Sequence, residues 1–261
     1  MMAPATAGGR WLRRFHPAPD ATHRLVCLPH AGGAAGTFHP WSRALSPRVD
    51  VLAVQYPGRQ DRHGEPLLGS VRELANGVVS ALEPWTERPY ALFGHSMGAS
   101  VAFEAARALE ARGARPALLV LSGRRAPPPS PAAATGRRHL LDDDALKCEI
   151  EQLGGTMPGM LADPELAQIV LPVVRSDYRA AETYWAPPEA VVRCPVVGLV
   201  GSDDPLVCPE QARDWRWHTS GPFELHVLPG GHFFLDRHRE AILGRIAAHL
   251  GAPAADGARA S

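Results

Sequence analysis

The segment GHSMG at 94–98 is the clearest candidate for chemistry in the sequence. It ends an apolar run at 90–94 and opens an amphipathic stretch at 97–112, so Ser96 is predicted to lie on a strand-to-helix turn. Side chains at the two flanking glycine positions would collide in so tight a turn, and the start of the following helix favours developing negative charge. The pattern therefore predicts that Ser96 is a nucleophile. The alternative is an ordinary glycine-rich turn.

A serine hydroxyl needs a general base, and the base needs an acid that orients it. In proteins with this kind of serine turn the acid and then the histidine follow later in the chain, each after a strand. The segment GGHFF at 230–234 directly follows the apolar run 223–228. His232 is therefore the predicted base, although a histidine taken alone is more often a surface imidazole.

The orienting acid is sought in the segment GSDDP at 201–205, which follows the apolar run 195–200. The acid usually stands third after the strand-ending glycine and just before a proline or an aliphatic residue. This placement favours Asp204 over Asp203, and Asp203 is then expected to cap the next turn.

A tetrahedral intermediate also needs two backbone donors, an oxyanion hole. The first is predicted to be the N–H of Met97, the residue after the serine. The second is predicted in the glycine-containing loop at 28–33, with the N–H of Ala31 preferred and that of Gly32 as second choice. His30, which precedes the glycine pair, is interpreted as shaping this loop rather than as a catalytic base.

The elements that must hold these residues form an α/β pattern. Six short apolar runs, each apolar at both alternate positions, are typical of strands covered on both faces of a parallel sheet. They lie at 24–29, 49–55, 90–94, 117–122, 195–200 and 223–228. Helical patterns alternate with them at 37–45, 70–82, 97–112 and 236–250, which predicts a mostly parallel central sheet flanked by helices.

The alternation stops between the fifth and sixth runs, where two helices are predicted at 141–153 and 163–184. We interpret residues 126–190 as a helical lid inserted into a core formed by 1–125 and 191–261; extra core helices are the alternative. Met157 and Met160 flank a Pro-Gly turn between the two helices. Their unbranched, adaptable side chains predict that they bind part of a substrate.

Composition excludes several other classes of function. Lys plus Arg and Asp plus Glu both number 27, which argues against binding to nucleic acid or to an anionic membrane surface. No apolar run is long enough for a membrane span, and the first residues lack the apolar core of a secretion signal. The four cysteines are scattered, so neither a metal site nor a disulfide framework is expected. The expectation is a cytoplasmic monomer.

At this point the sequence resembles a known family, the type II thioesterases that accompany polyketide synthases and nonribosomal peptide synthetases. The likeness covers about residues 24–250. Six segments carry it: LPHAGGAAGTF at 28–38, YPGRQDRHGEP at 56–66, FGHSMGASVAFEAARAL at 93–109, LGGTMPGMLADPEL at 153–166, RSDYRAAETY at 175–184 and GGHFFL at 230–235.

The resemblance implies an α/β-hydrolase fold, with the family's nucleophile, acid and base falling on Ser96, Asp204 and His232. It implies hydrolysis of acyl thioesters on the 4′-phosphopantetheine arm of an acyl or peptidyl carrier protein, which clears stalled or wrongly primed chains. No metal or soluble cofactor is expected, because a thioester is already reactive and its thiolate leaves well. The pantetheine arm belongs to the partner. Met157 and Met160 depart from the polar residues frequent at these positions in the family. A general carboxylester hydrolase or acyltransferase, and a catalytically inactive carrier-binding module, are the competing hypotheses.

Overall fold

A seven-stranded sheet forms the centre of the molecule, in the order β1-β3-β2-β4-β5-β6-β7. The structure, a computed structural model, describes residues 10–134, 136–155 and 159–251. The strands are β1 (Leu12–Arg13), β2 (His23–Leu28), β3 (Val49–Val54), β4 (Tyr90–His95), β5 (Leu118–Ser122), β6 (Val196–Gly201) and β7 (Phe223–Leu228). All pairs are parallel except β1 with β3. All six predicted strands are confirmed, to within one residue at either end.

Helices cover both faces of this sheet. They are α1 (His39–Leu45), α2 (Val71–Leu82), α3 (Met97–Ala111), α4 (Asp143–Leu153), α5 (Pro164–Glu182), α6 (Pro209–Arg213) and α7 (Arg239–Leu250). Alternate residues of a strand point to opposite faces, so Val26 and Leu28 pack with α2 and α3, while Leu25 and Cys27 pack with α1 and α7.

Local sequence signals fix the ends of the helices. The Ser70 side chain accepts a hydrogen bond from the N–H of Glu73 at 3.2 Å and so starts α2 with the predicted cap. Helix α3 ends before Gly113, whose φ of +82° is the left-handed conformation that glycine adopts readily. Parallel strands place their carboxyl ends at one edge of the sheet, and the loops at that edge carry the predicted site residues.

The two helices α4 and α5 lie between β5 and β6 in the chain, as predicted. Leu146 and Ile150 of α4 form a separate small hydrophobic cluster with Leu171 and Val174 of α5. Further along α5, the buried Ala180 belongs to the main core. Helix α5 therefore joins the two clusters.

Two kinds of feature are absent from the residues that the structure describes. No helix in these ranges has both the length and the apolar character needed to cross a membrane. No group of three or more His, Cys, Asp or Glu residues among them is arranged to hold a metal ion.

Candidate active site

Ser96 lies between the end of β4 and the start of α3 in a strained backbone conformation, with φ of 55° and ψ of −118°. A Cβ on Gly94 would lie 2.1 Å from the carbonyl oxygen of Gly98, and one on Gly98 would lie 2.2 Å from that of Leu28. No real Cβ tolerates such distances. The clash at Gly94 lies within the serine turn, as predicted, whereas the clash at Gly98 is with the backbone at the end of β2. The turn holds the serine at the carboxyl edge of the sheet.

His232 and Asp204 come from the loops after β7 and β6 and meet at the same edge. Nδ1 of His232 lies 2.9 Å from Oδ2 of Asp204, and their side chains are 2% and 0% exposed. The other carboxylate oxygen, Oδ1, accepts from the N–H of Leu206 at 2.9 Å. The carboxylate is thus held by the backbone on one side and by the imidazole on the other.

Asp203, the neighbouring carboxylate, faces away from the imidazole. Its Oδ2 accepts from the Ser202 hydroxyl at 2.8 Å, and its side chain is exposed. The geometry therefore distinguishes the two adjacent acids, and only Asp204 contacts His232.

The turn after β5 brings the predicted nucleophile and base into one neighbourhood. The Ser96 N–H donates to the Ser122 carbonyl at 2.8 Å. At the next residue, Gly123, a Cβ would lie 3.3 Å from Cε1 of His232. The Ser96 backbone and the His232 ring therefore flank the same two-residue segment.

Two further imidazoles, His95 and His30, lie near His232. The centroid of the His95 ring is 5.0 Å from that of His232 and 6.1 Å from that of His30. Burial, followed by the charge of His232, lowers the pKa of His95 well below its ordinary value. Desolvation, with the charges of His232 and Arg59, lowers the pKa of His30 to about 4. Both rings are therefore neutral at pH 7, and sequence reasoning did not anticipate this cluster.

The predicted oxyanion donors belong to the start of α3 and to the loop after β2. Met97 is the first residue of α3, and a first-turn amide has no partner within its own helix. In the opposite loop, the Gly32 N–H donates to Oδ2 of Asp177 at 2.8 Å. Because the second-choice donor is thus occupied, the geometry favours the N–H of Ala31 as the other donor.

A cavity of about 830 Å³ opens beside this loop, between it and the helices α4 and α5. Met160 lines it, as does Tyr178, whose pKa burial raises to about 12. The other lining residues include His30, Ala31, Ile150, Leu153, Val170, Val174 and Phe233. The substrate-binding role of Met160 stays a prediction, and Met157 lies outside the described residues.

One pair of charged residues near the site has a partnership that the sequence did not predict. Arg59 and Asp177 form a buried ion pair beside the Ala31–Gly32 loop, with Nη1 and Oδ2 2.6 Å apart. The two residues are 118 positions apart in the chain. Each lies in a segment that resembles the thioesterase family, YPGR and RSDY, but neither segment alone indicates a partner.

Comparison with known proteins places this geometry in a family. The model of the thioesterase domain family matches residues 23–250. The thioesterase PikA5 of Streptomyces venezuelae is 54% identical over 244 residues, which cover 93% of this chain and 86% of that protein.

Solved structures of thioesterases also match this chain. The type II thioesterase BorB from the borrelidin biosynthetic cluster is 51% identical, with a TM-score of 0.84, and the match covers 92% of this chain and 97% of BorB. YbtT, a type II thioesterase from the yersiniabactin pathway, is 31% identical with a TM-score of 0.83, over 92% of this chain and 98% of YbtT.

The fold is that of the α/β-hydrolases, as the resemblance implied. Within that class the chain belongs to the thioesterase domain family, and its relatives BorB and YbtT are type II thioesterases.

Proposed function

We propose that this protein is a serine thioesterase that hydrolyses acyl groups from the 4′-phosphopantetheine arm of acyl or peptidyl carrier proteins, and so clears stalled or wrongly primed chains from an assembly line. The observation that carries the proposal is the buried hydrogen bond between Asp204 and His232 at the edge of the sheet where Ser96 projects. The relatives' roles in polyketide and nonribosomal peptide pathways support the carrier-bound substrate.

The proposed reaction begins when His232 takes the proton of the Ser96 hydroxyl. The serine oxygen attacks the thioester carbonyl, and the carbonyl oxygen becomes an oxyanion held by the N–H groups of Met97 and Ala31. The intermediate collapses, the C–S bond breaks, and His232 protonates the departing pantetheine thiolate. Asp204 accepts from Nδ1 throughout and stabilises the imidazolium form.

A water molecule then completes the cycle. His232 takes a proton from the water, which attacks the acyl-serine ester and releases the carboxylic acid while Ser96 regains its proton. No metal enters these steps, because a thiolate is a good leaving group and the two amides supply the stabilisation. The pantetheine arm remains on the carrier protein as a free thiol.

In this scheme the cavity beside the oxyanion loop receives the acyl chain. Its apolar lining from Ile150, Leu153 and Met160 fits an aliphatic tail, and Ala31, the proposed second oxyanion donor, is also one of its lining residues. Helix α4 and the first half of α5 form the lid over this chamber, because they share a hydrophobic cluster of their own. The second half of α5 packs with the core and serves as its fixed support.

The test is hydrolysis of a carrier protein loaded with acyl-phosphopantetheine, followed by mass spectrometry of the intact carrier. Wild-type protein is expected to release free acid and carrier thiol at a kcat/KM at least tenfold above that for the p-nitrophenyl ester of the same acid. Ser96→Ala is the matched control and is expected to leave the carrier acylated.

Other results would contradict the proposal. Faster hydrolysis of the aryl ester than of the carrier thioester would favour a general carboxylester hydrolase. Transfer of the acyl group to an added alcohol or amine in preference to water would favour an acyltransferase. Binding of the carrier without turnover would favour an inactive binding module.

A further inference from the structure

The ion pair between Arg59 and Asp177 is enclosed by protein. Nη1 of Arg59 lies 2.6 Å from Oδ2 of Asp177 and Nη2 lies 3.0 Å from Oδ1, so the contact is bidentate. The Arg59 side chain is 6% exposed and the Asp177 side chain is fully buried. Asp177 belongs to helix α5, whereas Arg59 follows β3, so the pair joins the inserted helices to the core.

Both members of the pair also hold the loop that carries Ala31. Oδ2 of Asp177 accepts from the Gly32 N–H at 2.8 Å, and Nη1 of Arg59 donates to the Gly33 carbonyl at 3.2 Å. The Gly33 N–H in turn donates to the His30 carbonyl at 2.9 Å. That carbonyl shares a peptide plane with the Ala31 N–H, so fixing it fixes the direction in which this N–H points.

Packing reinforces these hydrogen bonds. Gly32 has a φ of +74°, and a Cβ there would lie 2.8 Å from Cγ2 of Val174, which is one helical turn before Asp177 on α5. The loop and the helix are therefore in direct contact, and the loop adopts a conformation that favours glycine. A displacement of α5 at this turn moves the loop as well.

The positive charge of Arg59 compensates the negative charge of Asp177 near the oxyanion hole. A lone carboxylate beside an oxyanion hole would oppose the negative charge that develops on the substrate oxygen. The two N–H groups that Arg59 gives to Asp177 neutralise this carboxylate, while its oxygen remains available to the Gly32 N–H. Arg59 is itself placed over the Tyr56 ring, with Cζ 5.1 Å from the centroid.

We propose that Asp177 and Arg59 act together as positioning residues of the oxyanion hole: they hold the His30–Gly33 loop so that the Ala31 N–H points at the reacting carbonyl, and they link this alignment to the seating of helix α5. The proposal rests on the proposed function in taking Ala31 as an oxyanion donor. Neither residue needs to touch the substrate for this role.

The test replaces Asp177 with Asn and compares it with Glu110→Gln. Glu110 is a matched control because it is also a buried carboxylate that accepts backbone N–H groups, those of Arg193 and Cys194, but at the far end of α3 from Ser96. Asp177→Asn is expected to lower kcat 10- to 100-fold and to change KM less than threefold. Glu110→Gln is expected to keep kcat within threefold of wild type.

Two ligands distinguish a loss of oxyanion-hole alignment from general damage to the active site. An acyl-pantetheine trifluoromethyl ketone adds to the serine and places an oxyanion in the hole, whereas the matching thioether has no carbonyl to place there. Asp177→Asn is expected to weaken binding of the ketone by about the factor that is lost in kcat/KM. The affinity for the thioether is expected to stay within threefold of wild type. Equal weakening of both ligands, or an unchanged ketone affinity, would overturn the proposal.

A second variant covers the case in which Asp177→Asn does not fold. Arg59→Lys keeps the charge but replaces the planar fork, which donates from two nitrogens to the two carboxylate oxygens, by a single nitrogen. It is expected to show the same selective loss toward the ketone, and wild-type ketone affinity in this variant would overturn the proposal. All variants are also assayed on an aryl ester, which uses the same oxyanion hole. If wild type hydrolyses the aryl ester but not the carrier thioester, the proposed function is contradicted. The positioning role can then still be measured on the aryl ester.

Discussion

Nδ1 of His232 and Oδ2 of Asp204 are 2.9 Å apart, while the adjacent Asp203 directs its carboxylate to the Ser202 hydroxyl. Two neighbouring acids of the same type thus occupy different environments, one buried on the imidazole and one in solvent. The difference arises in the turn after β6, where the Asp203 N–H donates to the Gly230 carbonyl at 2.9 Å and the chain then turns Asp204 inward.

Substitution of the two acids is expected to have unequal effects. Asp204→Asn should lower kcat by about 10⁴, because an amide in this place favours the wrong tautomer of the imidazole. Asp203→Asn should keep activity within about threefold, since its side chain contacts only the local turn. Steady-state hydrolysis of one acyl-pantetheine thioester measures both, and the reverse order would assign the acid to Asp203.

Substitution of Ser96 should separate activity from stability. Both Ser96→Ala and Ser96→Gly are expected to lose at least about 10³ in kcat, because only binding and the oxyanion hole remain. The two variants should differ in stability. Alanine keeps the strained φ of 55°, whereas glycine relieves it, so Ser96→Gly should have the higher free energy of unfolding by about 1 kcal/mol. Urea denaturation of both proteins provides the measurement, and a less stable glycine variant would contradict the assigned strain.

Enlarging Met160 should change the preference for acyl length. A tryptophan there would fill part of the cavity of about 830 Å³, so kcat/KM should fall most for long acyl chains and little for acetyl or propionyl. Ile169→Trp is the control, because that α5 side chain is 60% exposed. A uniform loss at every chain length would mean that Met160 only packs the lid. Met157→Trp, measured over the same series, tests the companion prediction.

Stability should depend on pH through His30. Its pKa in the folded protein is about 4, below the ordinary value of 6.5, so between these values the unfolded chain binds a proton that the folded protein does not. Unfolding free energy should therefore decrease as the pH falls through this window, by at most about 1.4 kcal/mol per pH unit for this residue. The buried His95 adds to the effect in the same direction.

The measurement is urea denaturation of wild type and His30→Gln at several pH values between 4 and 7. The variant should lose less stability on acidification, because it no longer carries the low-pKa imidazole. His63→Gln, a replacement at an exposed histidine, is the matched control. Parallel pH curves for wild type and His30→Gln would contradict the role given to His30.

Local patterns predicted the sheet well because buried parallel strands are continuous apolar runs, as at Val49–Val54 and Tyr90–His95. The short edge strand Leu12–Arg13 was missed, since two residues carry no periodicity. Asp204 was predicted as the orienting acid because it lies between a strand-ending glycine and a proline. In the structure its carboxylate is hydrogen bonded to His232.

Contacts between distant segments could not be read in this way. Asp177 lies in one of the two helices predicted between the fifth and sixth apolar runs, and nothing local identifies Arg59 as its partner. The low pKa of His95 likewise depends on the burial that the finished fold creates around it and on the nearby His232 ring. Such features depend on tertiary packing, and a single sequence shows only that the residue types are present.

Helix α5 begins in the small hydrophobic cluster and ends in the main core, so the inserted region cannot be exchanged as an independent unit. A chimaera that takes 126–190 from a relative would also replace Asp177 and Tyr184, whose partners Arg59 and Glu104 stay in the recipient. A shorter graft that stops before Val174 keeps these contacts and still changes the part of the chamber wall formed by Ile150, Leu153 and Met160. Recombination designed to alter acyl preference should therefore place its second junction inside the helix rather than at its end.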